Sequence, residues 1–100
     1  MYHVYVLYSE SFDRIYIGQT NNISIRLDKH NQGRVRSTKP YIPWVLVHTE
    51  EYPTRTAAMK REKELKSHQG RDFIRNKILN RQSPAGAGLT TRLLSVILKM

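Results

Sequence analysis

No cysteine occurs among the 100 residues, so there is neither a disulfide framework nor a thiolate metal site, and the fold must stand on its apolar core. A cytoplasmic setting is expected. No apolar run approaches the ~20 residues needed to cross a bilayer. The stretch MYHVYVLYS has no basic region ahead of an apolar one and no small-residue cleavage site, so no signal peptide is expected. Carboxylates are scarce as well: 8 Asp plus Glu stand against 17 Lys plus Arg, a net charge of +9. Such a deficit suits a chain that meets polyanions, nucleic acid above all. Internal repeats are absent, and low complexity is confined to one short linker.

What is present fits one domain with a single modest core. Tyr2 to Tyr8 is rich in Val and Tyr, and Arg14 to Gly18 repeats that character after the polar SESFD, which predicts a β-hairpin. Thr20, Asn21 and Asn22 offer N-cap oxygens to a helix ISIRLDKHN, stopped by Gly33. Its wheel puts Ile23, Leu27 and His30 on one face with Arg26 at the edge. GRVRSTKPYIP then reads as an exposed basic loop carrying Arg34, Arg36 and Lys39. WVLVHT, Trp44 to Thr49, predicts a third strand, and its nearly unbroken apolar content suggests a central position. Pro53 and Thr54 open a helix TAAMKREKELKSHQ, ended by Gly70, and RDFIRNKILN predicts another with Phe73, Ile74 and Ile78 on one side.

After Asn80 the composition changes. RQSPAGAG reads as a linker, and LTTRLLSVILKM has Leu89, Leu93, Ile97 and Met100 at helical spacing. Residues 1–80 are therefore expected to form the folded domain. Residues 81–100 are expected to form a flexible linker with either a short amphipathic helix, able to dimerise or meet a partner through residues 89–100, or a disordered tail.

Glu62 stands out in the second helix. It falls between Ala58, Met59 and Leu65, which define the predicted inward face. A carboxylate there is costly to bury unless paired, hydrogen-bonded or bound to a cation. A salt bridge to Arg26 or a neighbouring Lys, an edge position reaching water, and a metal site all satisfy that demand. Arg26 and His30, one turn apart, bring a permanent cation and a group that titrates near neutrality. Taken singly, each tyrosine is an ordinary strand residue, and Tyr2, Tyr8, Tyr41 and Tyr52 read as packing or rim residues.

Taken together, the order is specific. Tyr5 is followed after eleven residues by Tyr16-Ile17-Gly18, after ten more by Arg26, after four more by His30, and then by a helical Glu62 beyond the third strand. This pattern resembles the GIY-YIG nuclease family, in its small standalone bacterial form, over roughly residues 2–79. His3-Val4-Tyr5 matches the first motif with His in place of glycine, Gln19 stands where some relatives carry a basic residue, and neither Asn76 nor Asn80 falls in a motif matching the asparagine of larger members.

The resemblance implies an α/β (α+β) fold, with a small three-stranded antiparallel sheet flanked by helices in the order β-β-α-β-α-α. It also implies a phosphodiesterase using one divalent ion, Mg²⁺ or Mn²⁺, and acting on nucleic acid, DNA rather than RNA, with no membrane partner. Glu62 would be the metal ligand, Arg26 the cation beside the scissile phosphate, and Tyr5 and Tyr16 the site tyrosines. His30 would be a proton relay. The expected activity is an endonuclease selective for strand structure, as in repair or recombination, the alternative being a binding module of the same fold with weak or no catalysis. Tyr5 is read as the general base, with Tyr16 orienting water or phosphate, or the reverse. Beside Arg26, His30 and a metal-bound water, the Tyr5 phenolate is expected to become more accessible. Gly18 would let the chain pass close to substrate, and Arg34, Arg36, Lys39, Lys60 and Lys63 would hold the nucleic-acid backbone.

Overall fold

The computed structural model describes residues 1–79; the predicted linker and C-terminal segment lie outside them. Strands β1 (Tyr2–Ser9) and β2 (Arg14–Thr20) form the hairpin, helix α1 (Ile23–Asn31) follows, and a 3₁₀ turn over Lys39–Tyr41 leads into β3 (Val45–Tyr52). Helices α2 (Arg55–Lys66) and α3 (His68–Phe73) come next, and α3 runs into a π-helical turn over Ile74–Ile78. The β-β-α-β-α-α order is the expected one.

All three strands are antiparallel, in the spatial order β2-β1-β3. β1, not β3, is therefore central, which corrects the expectation drawn from the apolar run at 44–49. The reason lies in β1's alternation: Val4, Val6 and Tyr8 join Ala58, Leu65 and Ile74 on one face, while Tyr5 and Leu7 join Trp44 on the other. Only a strand covered on both faces can bury six consecutive residues, and β1 does so from Val4 to Ser9. β3 is an edge strand of half-buried residues. Its register against β1 slips between Val6 and Leu7, so that Val6 opposes His48 and Leu7 opposes Leu46. This bulge lets Val47 pack with the α2 side while Leu46 packs with Tyr5.

The side chains that hold these elements are local. Asn22 caps α1 by accepting from the Ile25 amide at 3.1 Å, and Gly33, at φ +76°, ends it in the left-handed region. Asn31 then clamps α1 to the start of β3: its Oδ1 accepts from the Trp44 amide at 2.7 Å and its Nδ2 donates to the Trp44 carbonyl at 3.0 Å. Thr54 caps α2 through the Ala57 amide. Burial pushes the Glu50 carboxyl up. Donation from Arg61, His48 and Tyr52 outweighs that and holds it at about 2, tying β3 to α2.

Three further expectations change. Met59 is 51% exposed, so Ala58 and Leu65 alone carry the inward face of α2. Phe73 turns outward while Ile74 is fully buried. Gly70 does not end α2, which stops at Lys66; it sits inside α3, where a Cβ would lie 2.5 Å from the Leu65 Cα. The glycine lets α3 fold back against the end of α2.

Candidate active site

Along β2 the positions Arg14, Tyr16 and Gly18 face the α1 side, and Gly18 lies opposite Tyr5 on β1. A Cβ at Gly18 would lie 2.6 Å from the Tyr5 hydroxyl and 3.1 Å from the ring edge of Tyr16. The missing side chain thus makes room for the tyrosine pair. The two rings stand 6.1 Å apart, and the His30 ring is 4.7 Å from Tyr16 and 5.9 Å from Tyr5. α1 supplies His30 from its last turn and Arg26 one turn earlier, so four of the five expected catalytic residues meet on this face.

Their hydrogen bonds have one consistent direction. The Thr38 hydroxyl donates to the Val35 carbonyl at 3.2 Å, so its oxygen accepts from His30 Nδ1–H at 2.9 Å. His30 Nε2 is then the unprotonated nitrogen and accepts from the Tyr5 hydroxyl at 3.0 Å. Arg26 Nε–H donates to the same phenol oxygen at 3.4 Å. Burial, aided by the Arg26 charge, lowers His30 to about 4, which keeps it neutral near pH 7. Burial also pushes Tyr5 up to about 12, against the opposing pull of Arg26. The expected ease of forming the phenolate is therefore reversed in the protein alone: desolvation of a side chain only 2% exposed exceeds the help from one guanidinium. Tyr16 is half-buried.

Glu62 is elsewhere. The inward residues of α2 pack with Val4, Val6 and Ile17, on the opposite face of the sheet from Tyr5 and Tyr16. Glu62 lines a cleft of about 320 Å³ with Gln19, Met59, Lys63 and Lys66, and its Oε2 pairs with Lys66 Nζ at 2.6 Å. A neighbouring lysine thus answers the carboxylate, as one of the three sequence readings allowed. The two sites are nevertheless neighbours along the chain. β2 is an edge strand, and Gly18 and Gln19 are consecutive residues facing opposite sides of it.

Arg34, Arg36 and Lys39 are exposed in the segment after α1, on the His30 side. Lys60 and Lys63 are exposed on α2, beside a cleft of about 700 Å³ at the α2–α3 junction. Thr38 is the residue that sequence reasoning missed. It is fully enclosed, and its carbonyl also accepts from Trp44 Nε1 at 2.9 Å. A threonine in a basic loop carries no periodic signal, and only the return of that loop over α1 reveals its part.

Comparison with known proteins matches residues 1–77 to the model of the GIY-YIG catalytic domain. A UPF0213 protein of Natronomonas pharaonis is 40% identical over 67 residues, 66% of this chain and 78% of that protein. A UPF0213 protein of Haloquadratum walsbyi is 37% identical over 68 residues, 67% of this chain and 76% of that protein. The solution NMR structure of a UPF0213 protein from Bacillus halodurans is 29% identical, with a TM-score of 0.47, covering 78% of this chain and 87% of that one.

Proposed function

The chain belongs to the GIY-YIG catalytic-domain family, a family of nucleases, and on that premise we propose that it is a divalent-metal-dependent endonuclease cutting DNA by strand structure rather than sequence. The observation that carries the reading is the buried row Thr38–His30–Tyr5 with Arg26 on the phenol oxygen. It forms a directed proton path beside a fixed cation. The catalytic unit would be residues 1–80, with 81–100 appended to it.

Hydrolysis needs a group to take the proton of the attacking water. At neutral pH Tyr5 holds its own proton, so it can accept another only by releasing the first. His30 Nε2, unprotonated and 3.0 Å away, is placed to receive it. The Tyr5 oxygen would take the water proton as its phenolic proton passes to His30, and Thr38 would keep the imidazole in the tautomer that can accept. Arg26 would stabilise charge on the phosphate oxygens and restrain the developing phenolate. Tyr16, half-buried beside Tyr5, would orient water or phosphate. Arg34, Arg36 and Lys39 would hold the backbone on the His30 side, and Lys60 and Lys63 where a strand passes over to α2.

The donor set near Gln19 fits a hard divalent ion. Glu62 has one oxygen without a protein partner among the described residues, and the Gln19 amide oxygen shares its cleft. Mg²⁺ keeps most of its waters and commonly takes only one or two carboxylates, so these residues would suffice to hold it after Lys66 swings aside. When bound, it would supply Lewis-acid stabilisation of the phosphodiester.

A cleavage panel of duplex, single-stranded, flap and branched DNA, with the same strands as RNA, tests this in Mg²⁺, Mn²⁺ or EDTA. Cutting should require the metal, disappear in Glu62→Ala, and fall about 10²- to 10⁴-fold in Tyr5→Phe. The Glu62–Lys66 pair and its position across the sheet favour a second reading, a nucleic-acid-binding module of the same fold. Salt-sensitive binding by a wild type that cuts nothing would make that reading the better one.

A further inference from the structure

The hairpin turn between β1 and β2 carries a feature that the proton path does not use. Phe12 stands in an otherwise polar turn and is 51% exposed. Its ring packs edge-on against Tyr41, with centroids 5.5 Å apart and planes at 75°. The Arg14 guanidinium lies over the same Tyr41 ring, 4.4 Å from its centroid. From Tyr41 the rings continue to Trp44 at 6.4 Å and from Trp44 to Tyr16 at 6.3 Å. A row of aromatic side chains thus runs from the hairpin tip to the tyrosine pair.

The tip is held in place. Asp13, at φ +52°, accepts from the Tyr8 hydroxyl at 2.9 Å and from Arg75 Nη1 at 3.0 Å, which anchors the turn to the far end of the fold. Arg14 makes no ion pair among the described residues, and Lys39 sits in the same 3₁₀ turn as Tyr41. Arg14 and Tyr16 are on the same face two residues apart, about 7 Å along the strand. An exposed phenylalanine by itself is ordinary. This one ends a row of rings and packs on a tyrosine that also carries a stacked guanidinium without a carboxylate partner among the described residues.

We infer that Phe12, with Arg14 and Tyr41, forms a stacking subsite for an unpaired nucleobase, so that the strand entering the site is single-stranded beside the scissile phosphate. A base in a duplex has both faces covered and cannot present one to Phe12. An unpaired base can stack on the ring while Arg14 and Lys39 meet the flanking phosphates. The inference rests on the nucleic-acid reading above and adds to it the form of the strand.

Binding in EDTA tests it without cleavage. The full chain is titrated onto an oligonucleotide carrying one 2-aminopurine, single-stranded or annealed into a blunt duplex, at two salt concentrations. Wild type should bind the single strand more tightly and quench its fluorescence. Phe12→Ala should weaken single-strand binding about 5- to 150-fold at both salt concentrations with little change for duplex, and Phe12→Trp should restore it. Equal affinity of Phe12→Ala and wild type for the single strand, or equal losses on single strand and duplex, would overturn the inference. If cutting is absent but the Phe12 effect is present, the nuclease reading falls and the subsite stands. Cutting with no Phe12 effect gives the reverse.

Discussion

A histidine with no exposed surface, held between a phenol and a threonine, must stay neutral to stay folded, and this couples the candidate site to stability. His30 is lowered to about 4 by burial and by Arg26, against 6.5 for an ordinary histidine. The unfolded chain therefore takes up the proton first as pH falls. The contribution of His30 is whole above 6.5 and is lost progressively down to about 4, about 3 kcal/mol in all. Urea unfolding across that range should show the loss in wild type and a shallower one in His30→Gln. Glu50, held at about 2, titrates separately, losing its contribution only below 4.5. Thr38→Ala leaves the Nδ1–H of His30 buried without an acceptor, so it should cost about 1–3 kcal/mol. It should also slow cleavage more than it weakens binding, whereas Thr38→Ser should restore both; single-turnover kinetics beside a binding titration reads the difference. The set Tyr5, Tyr16, Arg26 and His30 was legible through its resemblance to a family pattern, with helix periodicity placing only Arg26 and His30 one turn apart. Thr38 was not, since its loop must first return over α1. Nor was the sense of the Tyr5 shift, which depends on burial that spacing alone does not measure.

Elements were legible where a local rule made them. Val- and Tyr-rich runs on either side of a polar turn marked β1 and β2, Asn22 and Thr54 marked the helix starts, and Gly33 marked the end of α1. They were misread where one signal has two causes. The apolar run at 44–49 suggested a central strand, yet an edge strand accounts for it, with Leu46 and Val47 packing on its opposite sides. Glu62 was singled out on α2, but a helical wheel does not say which side of the sheet the helix covers. Gly70 was read as a stop, and the structure makes it a point of close approach instead. Gly70→Ala would drive a Cβ into the Glu64 carbonyl and the Leu65 Cα, which are backbone and cannot rotate away. We expect a loss of about 1–3 kcal/mol or more, seen as a lower melting temperature in calorimetry, with the β1–β2 register unchanged in amide NMR spectra.

Among the described residues, Arg34, Arg36 and Lys39 are exposed in the segment after α1, and Lys60 and Lys63 are exposed on α2. Phosphate contacts release counterions, and the slope of log K against log salt is about −0.9 for each phosphate neutralised on duplex and about −0.7 on a single strand. Replacing Arg34, Arg36 and Lys39 together by Gln should reduce that slope by about 2 to 3 and weaken binding to all sequences alike. The same replacement of Lys60 and Lys63 reports whether the strand also reaches α2. The order β2-β1-β3 has a consequence for the life of the chain on the ribosome. The central strand is synthesised first, but its second neighbour arrives only when residue 52 has emerged, and Thr38 and Trp44 come with that same late segment. A nascent chain that has made only the hairpin and α1 therefore holds Tyr5, Tyr16, Arg26 and His30 without the residues that enclose them. On the proposed function, the candidate site is then completed only as the sheet is completed, in a single event.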